Sequence, residues 1–400
     1  MSDQPSSTFV ASRHAPVPPW RDIRYIQAFL QIVFLIAVVA FGYTLIHNLV
    51  SNLADNRMAI TFKAFDRPFG TNISEGTSNF DPATTSNWEA LWIGFRNTLR
   101  VVAIGLVGTT ILGVLIGIGR LSSNFLVRLV ANFYIEVFRN TPLLVQLYFI
   151  YRGLRVTMPE RVQDSIKLPG PVFVNRRAIN FPLIEGTDTA WLFYLLFGIG
   201  LAVGIGLWVW RLRVQDRTGQ PASVLRWFVP TILLFGAVGW LVAGGPFSIQ
   251  NPELKRFNFE GGDKLSMEYL TLTLGLILYT AAFVADIVRA GIQAVPHGQI
   301  EAARAQGFSG GQTLRLIVLP QALRLIIPPL GNQYLNLAKN SSLGVAIGFF
   351  DVYNIASIIS NQTGQSVAVF AVMMAIYLGL SLTISVVMNA VNYSMRLRSR

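Results

Sequence analysis

The residues able to do chemistry are few and poorly placed for catalysis. The chain has no cysteine and three histidines, His14, His47 and His297. Disulfides, iron–sulfur clusters and thiolate zinc sites are thereby excluded, and the histidines lie too far apart in sequence for a local metal motif. None of the five lysines (Lys63, Lys167, Lys255, Lys264, Lys339) follows a glycine, so the phosphate loop G-x-x-x-x-G-K-[ST] is missing. ATP hydrolysis by that route is excluded. Gly307-Phe308-Ser309-Gly310-Gly311 fits the serine-hydrolase pattern G-x-S-x-G, but that pattern needs a strand-to-helix elbow. Here it falls between two helical runs. No enzyme activity and no cofactor are expected.

The remaining chemistry is charge in apolar surroundings. Glu136, Arg139 and Lys339 stand within or beside apolar runs, where an unpaired charge costs at least about 2.5–3.5 kcal/mol at a bilayer centre. Arg139 falls thirteen residues into its run, about 20 Å deep at 1.5 Å per residue. Glu136 lies three residues earlier on the same face, and the two could form a neutralising pair that locks helices together. A second reading is sharper. Asn140 or Thr141 caps a new half-helix with Pro142 at its first position. Free N–H groups and Arg139 then face the midplane, where they suit a carboxylate. Asp286 and Arg289 form another i, i+3 pair, read as an interfacial brace.

The elements that must position these groups are apolar helices. Hydrophobic residues make up 52% and charged residues 13%, and mean hydropathy is +0.49. Soluble domains carry roughly 25% charged residues, so lipid must cover part of this surface. The net charge of +12 sits in short segments between apolar runs rather than on soluble aromatic-studded modules, which argues for membrane topology and against nucleic acid.

A bilayer core takes about 20 apolar residues in helix. That ruler predicts eight spans, at about 25–47, 92–118, 126–153, 190–210, 228–245, 267–290, 325–349 and 367–390. The class is all-α, a polytopic transmembrane helical bundle. The first run reads as an uncleaved anchor, being too long for a signal peptide and lacking a small-residue cleavage site. Both ends are expected to be cytoplasmic, with Arg211, Arg213, Arg217, Arg226, Arg396, Arg398 and Arg400 on that side. Arg152, Arg155, Arg161, Lys167, Arg176 and Arg177 on the opposite side weaken the bias. The outer segments 51–91 and 154–189 are too short and polar for a substantial domain.

The most informative stretch is 291–324. Pro296 and Gly298 break the preceding span, and a short helix follows over 299–306. Gly307 suits a left-handed C-terminal residue, and Ser309 with Gln312 has capping-box spacing. The second helix is expected to run to Leu319, with Pro320 bending the chain back toward the membrane. Glu301 and Arg304 add a charge pair at the rim. The hairpin is either a docking surface for another protein or an ordinary connection between spans.

Glu301-Ala302-Ala303, Gly307, Ile317, Leu319 and Pro320 resemble the EAA---G---------I-LP pattern of ABC importer permeases, fixed at seven positions. In that family the loop couples the permease to a separate ATP-hydrolysing subunit. Residues 138–146, Phe138-Arg139-Asn140-Thr141-Pro142-Leu143-Leu144-Val145-Gln146, are similar to a segment of the polar-amino-acid permeases. So is the run from Ala282 to Gly291, although the family more usually has Tyr and Glu at Phe283 and Asp286. Lys339-Asn340-Ser341-Ser342-Leu343 resembles the family's K-D-T-S-L, without its acid.

The resemblance covers about 92–153 and 267–392 and implies an ABC type I importer permease core. It implies that Glu301, Ala302, Ala303, Gly307, Ile317, Leu319 and Pro320 contact the ATPase. It also implies a substrate pathway of Glu136, Arg139, Asn140, Thr141, Pro142, Gln146, Lys339, Ser341 and Ser342. ATP would be bound by the separate subunit. The implied partners are ABC ATPase subunits, a second permease subunit, homologous or identical, a periplasmic amino-acid-binding protein and the lipid bilayer. The expected division is a cytoplasmic tail (1–24), an extra span and periplasmic segment (25–91), the first part of the core (92–153), an insert with two extra spans (154–266), the second part of the core (267–392) and a basic tail (393–400). The longer form resembles the general L-amino-acid permease subunits of proteobacteria. An ATPase-independent carrier or channel is the alternative, although a self-sufficient carrier has no use for such a loop.

Overall fold

The structure is a computed structural model that describes residues 20–55, 61–76, 80–218, 223–256 and 258–395. Arg396, Arg398 and Arg400 of the expected basic tail, and all of the polar tail before Trp20, lie outside those residues. The chain divides into two units, Met1–Phe62 and Lys63–Arg400.

The first unit holds one helix, α1 (Ile23–Asp55). It is apolar around most of its circumference, and those side chains are exposed. A long helix with no polar face of its own is covered by lipid.

In the second unit α2 (Asn87–Arg120) starts in a capping box between Ser86 and Glu89. It is followed by α3 (Phe125–Asn140) and α4 (Leu143–Thr157). Four short strands come next, β1 (Ile166–Leu168), β2 (Val172–Val174), β3 (Ala178–Phe181) and β4 (Leu183–Gly186). They lead to a helical hairpin of α5 (Ala190–Thr218) and α6 (Leu225–Val242). Four more strands return the chain, β5 (Phe247–Gln250), β6 (Glu253–Lys255), β7 (Asn258–Glu260) and β8 (Asp263–Ser266). The path continues through α7 (Met267–Gln293), α8 (His297–Ala305), α9 (Gly310–Thr313), α10 (Leu319–Asn340), α11 (Val352–Thr363) and α12 (Ser366–Ser394).

Among the described residues seven helices are long and apolar enough to cross a membrane. The eighth expected span, 126–153, is present as two shorter helices, α3 and α4, parted at Thr141-Pro142. Proline cannot donate the next backbone bond and crowds the turn before it.

The core is built on α2 against α7. Gly117 allows the close approach: a Cβ there would lie 2.8 Å from the Ala285 carbonyl oxygen. Small residues serve helix contacts in lipid because packing, not water exclusion, drives them. Leu272 and Leu276 of α7, Leu337 of α10 and Leu147 of α4 are fully buried together.

The segment expected as an insert, 154–266, contains strands that its sequence did not announce. Its flanks pair with each other: β8 lies beside β3, with Ala178 opposite Ser266, and β5 pairs with β4. This closure brings the chain back to the start of α7 beside the end of the excursion. An insert of two membrane helices can thus leave the core's connection short.

Candidate functional site

The hairpin between α7 and α10 forms from local signals. Helix α8 begins after Pro296 and ends in a left-handed Gly307 (φ 83°). Phe308 N–H donates to the Ala303 carbonyl at 3.1 Å and Gly307 N–H to the Arg304 carbonyl at 2.9 Å, a complete Schellman motif. Ser309 then caps α9. Its Oγ accepts from Gln312 N–H at 3.3 Å, while its own N–H donates to Gln312 Oε1 at 2.8 Å. Both orphan ends are closed within one tight turn. Glu301, Ala302 and Gly307 are exposed, whereas Ala303 is buried. Val295, Val318, Ala322 and Ile326 seat that base on Val284 and Val288 of α7.

The second arm departs from expectation. It does not stop at Leu319 with a bend at Pro320. Instead α9 passes through a π-helical stretch, Leu314–Val318, directly into α10. Pro320 occupies the first turn of α10, where its missing N–H costs little. The wider turn makes that possible, with Leu319 N–H reaching the Leu314 carbonyl. Ile317 lies on this stretch, and its carbonyl accepts from Gln321 Nε2 at 3.0 Å. The arm therefore runs into a membrane helix without an intervening loop.

The helix break is closed by side chains other than those expected. Pro142 occupies the N-cap itself, and no side chain caps α4. Thr141 Oγ1 bonds back to the Val137 carbonyl, and Asn140 is exposed. Gln146, buried, donates from Nε2 to the Phe138 and Thr141 carbonyls, each at 2.9 Å. The last carbonyls of α3 are thus satisfied from the next helix. Leu147 packs on Gly275, and Arg139 reaches Asp286. The break between them is therefore level with the middle of α7.

The charges pair differently as well. Arg139 does not neutralise Glu136, which is exposed, and Asp286 does not pair with Arg289. Asp286 accepts from Arg139 with one oxygen and from Arg120 with the other. Arg120 also donates to Asn132 Oδ1 at 2.7 Å, and the Arg139 guanidinium lies over Phe283, 5.2 Å from its centroid. One carboxylate ties α2, α3 and α7 and leaves one positive charge uncompensated. Arg120 was passed over because it ends a span, where charge reads as topology.

The second matched segment lies at the end of α10. Lys339 is exposed there. Ser341 is fully buried, its hydroxyl donating to the Ala338 carbonyl at 2.8 Å, and Ser342 does the same to Lys339 at 2.8 Å. Both hydroxyls are engaged with backbone in a 3-10 turn, Ser341–Ile347. An apolar groove of about 320 Å³ separates that turn from α4, lined by Leu144, Val145, Tyr148, Ala346 and Ile347. Among the described residues no group of three or more His, Asp or Glu could hold a metal ion.

The family described as "Binding-protein-dependent transport system inner membrane component" matches residues 195–397. The chain belongs to that family. The permease is 38% identical over 383 residues to the general L-amino acid transport system permease protein AapQ of Rhizobium johnstonii, covering 95% of this chain and 94% of that protein. It is 39% identical to the putative amino-acid ABC transporter permease protein YhdX of Escherichia coli, covering 90% and 92%. A solved structure titled as an amino acid ABC transporter with histidines shares 23% identity at a TM-score of 0.45, covering 77% of the permease and 94% of that chain. Near full-length coverage of both named relatives takes in residues 154–266 as well as the segments on either side. The permease is a multi-pass membrane transport component.

Proposed function

We propose that the permease is the membrane subunit of an ATP-driven amino-acid importer, working by alternating access and powered by a separate ATPase. The observation that carries this reading is the exposed, doubly capped hairpin at the joint of α7 and α10. Glu301, Ala302, Ala303, Gly307, Ile317, Leu319 and Pro320 form its two arms. A rigid knob continuous with membrane helices suits a groove on another protein, and ATP-driven closure of that groove would move α7 and α10 together. The hairpin and both termini are assigned to the cytoplasm.

The exposed faces of α3 and α10, with Glu136, Arg139, Asn140 and Lys339, are assigned to a pathway shared with a second permease. Arg139 and the uncapped start of α4 supply positive potential for a substrate carboxylate. Thr141, Pro142, Gln146, Ser341 and Ser342 hold the backbone in that shape. A periplasmic amino-acid-binding protein would deliver the substrate to the opposite end, and the source relatives' names support amino acids as cargo.

The test is uptake of labelled amino acid into proteoliposomes holding the permease with its cognate ATPase, second permease and binding protein. Uptake should require enclosed ATP and stop with a non-hydrolysable analogue. Uptake by the permease alone, without any ATPase, would instead identify a self-sufficient carrier.

A further inference from the structure

The six basic residues that weaken the charge bias of the membrane topology include three that the fold gathers over one cavity. Between the strands of the insert and the ends of α4 and α7 lies a chamber of about 590 Å³. Arg155, Arg176, Arg177 and Lys264 line it, and Glu268 is the acid among its lining residues. A 27-residue helix separates this end of α7 from the docking hairpin, so the chamber is on the opposite side of the membrane from the hairpin.

The cations in the chamber are incompletely matched. Glu268 is engaged through Tyr151, whose hydroxyl donates to it at 2.6 Å and accepts from Arg155 at 3.0 Å. Arg176 reaches an exposed acid, Glu160, at 2.9 Å. Among the described residues the Arg177 guanidinium donates only to a neutral partner, Asn258 Oδ1, at 3.2 Å. Among the described residues neither Arg155, Arg177 nor Lys264 has a carboxylate within 4.0 Å. Arg155 Nε and Arg176 Nε are buried without any hydrogen-bond partner. A buried donor left unmade costs about 1–3 kcal/mol. A second cavity of about 650 Å³ shares Lys264 and adds Arg96 and Arg100, with Asp263 the acid on its wall. Glu75, beneath, is already bonded to Ser266 N–H at 3.0 Å.

We propose that this chamber is a binding site for an acidic amino acid entering the transporter. Its two carboxylates would take the unpaired donors of Arg155, Arg176, Arg177 and Lys264, and its ammonium would sit toward Glu268. A neutral amino acid would leave half of those donors unmatched, so the chamber selects for a second negative charge. The proposal rests on the amino-acid import reading, and assigns the insert the task of filtering by charge.

The test uses the full-length permease in nanodiscs, with saturation-transfer NMR of L-glutamate and L-glutamine at millimolar concentration. L-glutamate should bind at least about tenfold tighter than L-glutamine, as expected for losing one charge-assisted contact. Added salt should weaken it. Arg177→Gln with Lys264→Gln should abolish the signal, and Lys264→Gln alone should weaken it several-fold while leaving thermal stability unchanged. Equal binding of the two amino acids, no binding of free glutamate, or binding indifferent to both variants would overturn the proposal. The last two outcomes would point to a docked protein's carboxylate or to a purely structural cluster. Binding of glutamate by a wild-type permease whose assembled transporter moves no amino acid would sink the import reading while leaving the chamber standing.

Discussion

Arg139, at the end of α3, donates to Asp286 on α7 across the very place where the chain breaks between two helices. The same carboxylate holds Arg120, so one acid joins three helices beside an interrupted one. Asp286→Asn should lower stability by about 1–3 kcal/mol, less than for a fully buried pair because both arginines are partly exposed. Thermal unfolding in detergent measures this. Asp286→Glu should recover most of the loss, and an unchanged melting temperature in the Asn variant would show that the node holds nothing together.

Arg139 can be separated from that structural task. Arg139→Ala should abolish uptake while leaving assembly with the ATPase intact, since Arg120 still satisfies Asp286. If the variant fails to assemble, and Arg139→Ala with Asp286→Ala restores assembly, Arg139 is helix glue and the pathway assignment fails.

The α2–α7 seam should tolerate no added bulk. Gly117→Val places a Cβ at 2.8 Å from the Ala285 carbonyl, and backbone cannot move aside cheaply. Overpacking of this kind costs about 1–3 kcal/mol. The expected result is a lower melting temperature and poor yield, whereas Gly206→Val, with open space around it, should behave as wild type.

Glu75 makes stability depend on pH. It is 2% exposed, outside the membrane-spanning helices, and burial raises its carboxyl above the usual range despite the Ser266 hydrogen bond. A raised folded-state value means the folded protein holds its proton more tightly than the unfolded chain. Its contribution is therefore favourable at low pH and is lost as pH rises from the ordinary carboxylate range through the raised one. Glu75→Gln should remove that slope and stabilise the protein at neutral pH. A wild-type slope of opposite sign that vanished in the Gln variant would contradict the account.

The membrane helices were legible because each is a long apolar run, and hairpin residues 297–313 because their signals are local. Pro142 marked the break in advance. The partners were not legible. Asp286 meets Arg120 and Arg139 only after three helices pack, so its nearest sequence neighbour, Arg289, was the natural but wrong choice. The strands of the insert are three or four residues long, and β3 finds β8 across two intervening helices, which no local period records. Pro320 misled for a different reason. A proline ends a helix unless the turn before it widens, and that widening depends on continuing into α10.

The central claim is that hairpin 297–320 receives force from a separate ATPase, and co-purification of that ATPase with Gly307→Val measures it most directly. Valine cannot hold φ 83° without strain of order 1–2 kcal/mol, so the Schellman turn should open and ATPase capture fall sharply. The permease should meanwhile insert normally and melt within a few degrees of wild type. Full capture of the ATPase by this variant, and by Glu301→Arg, would contradict the account.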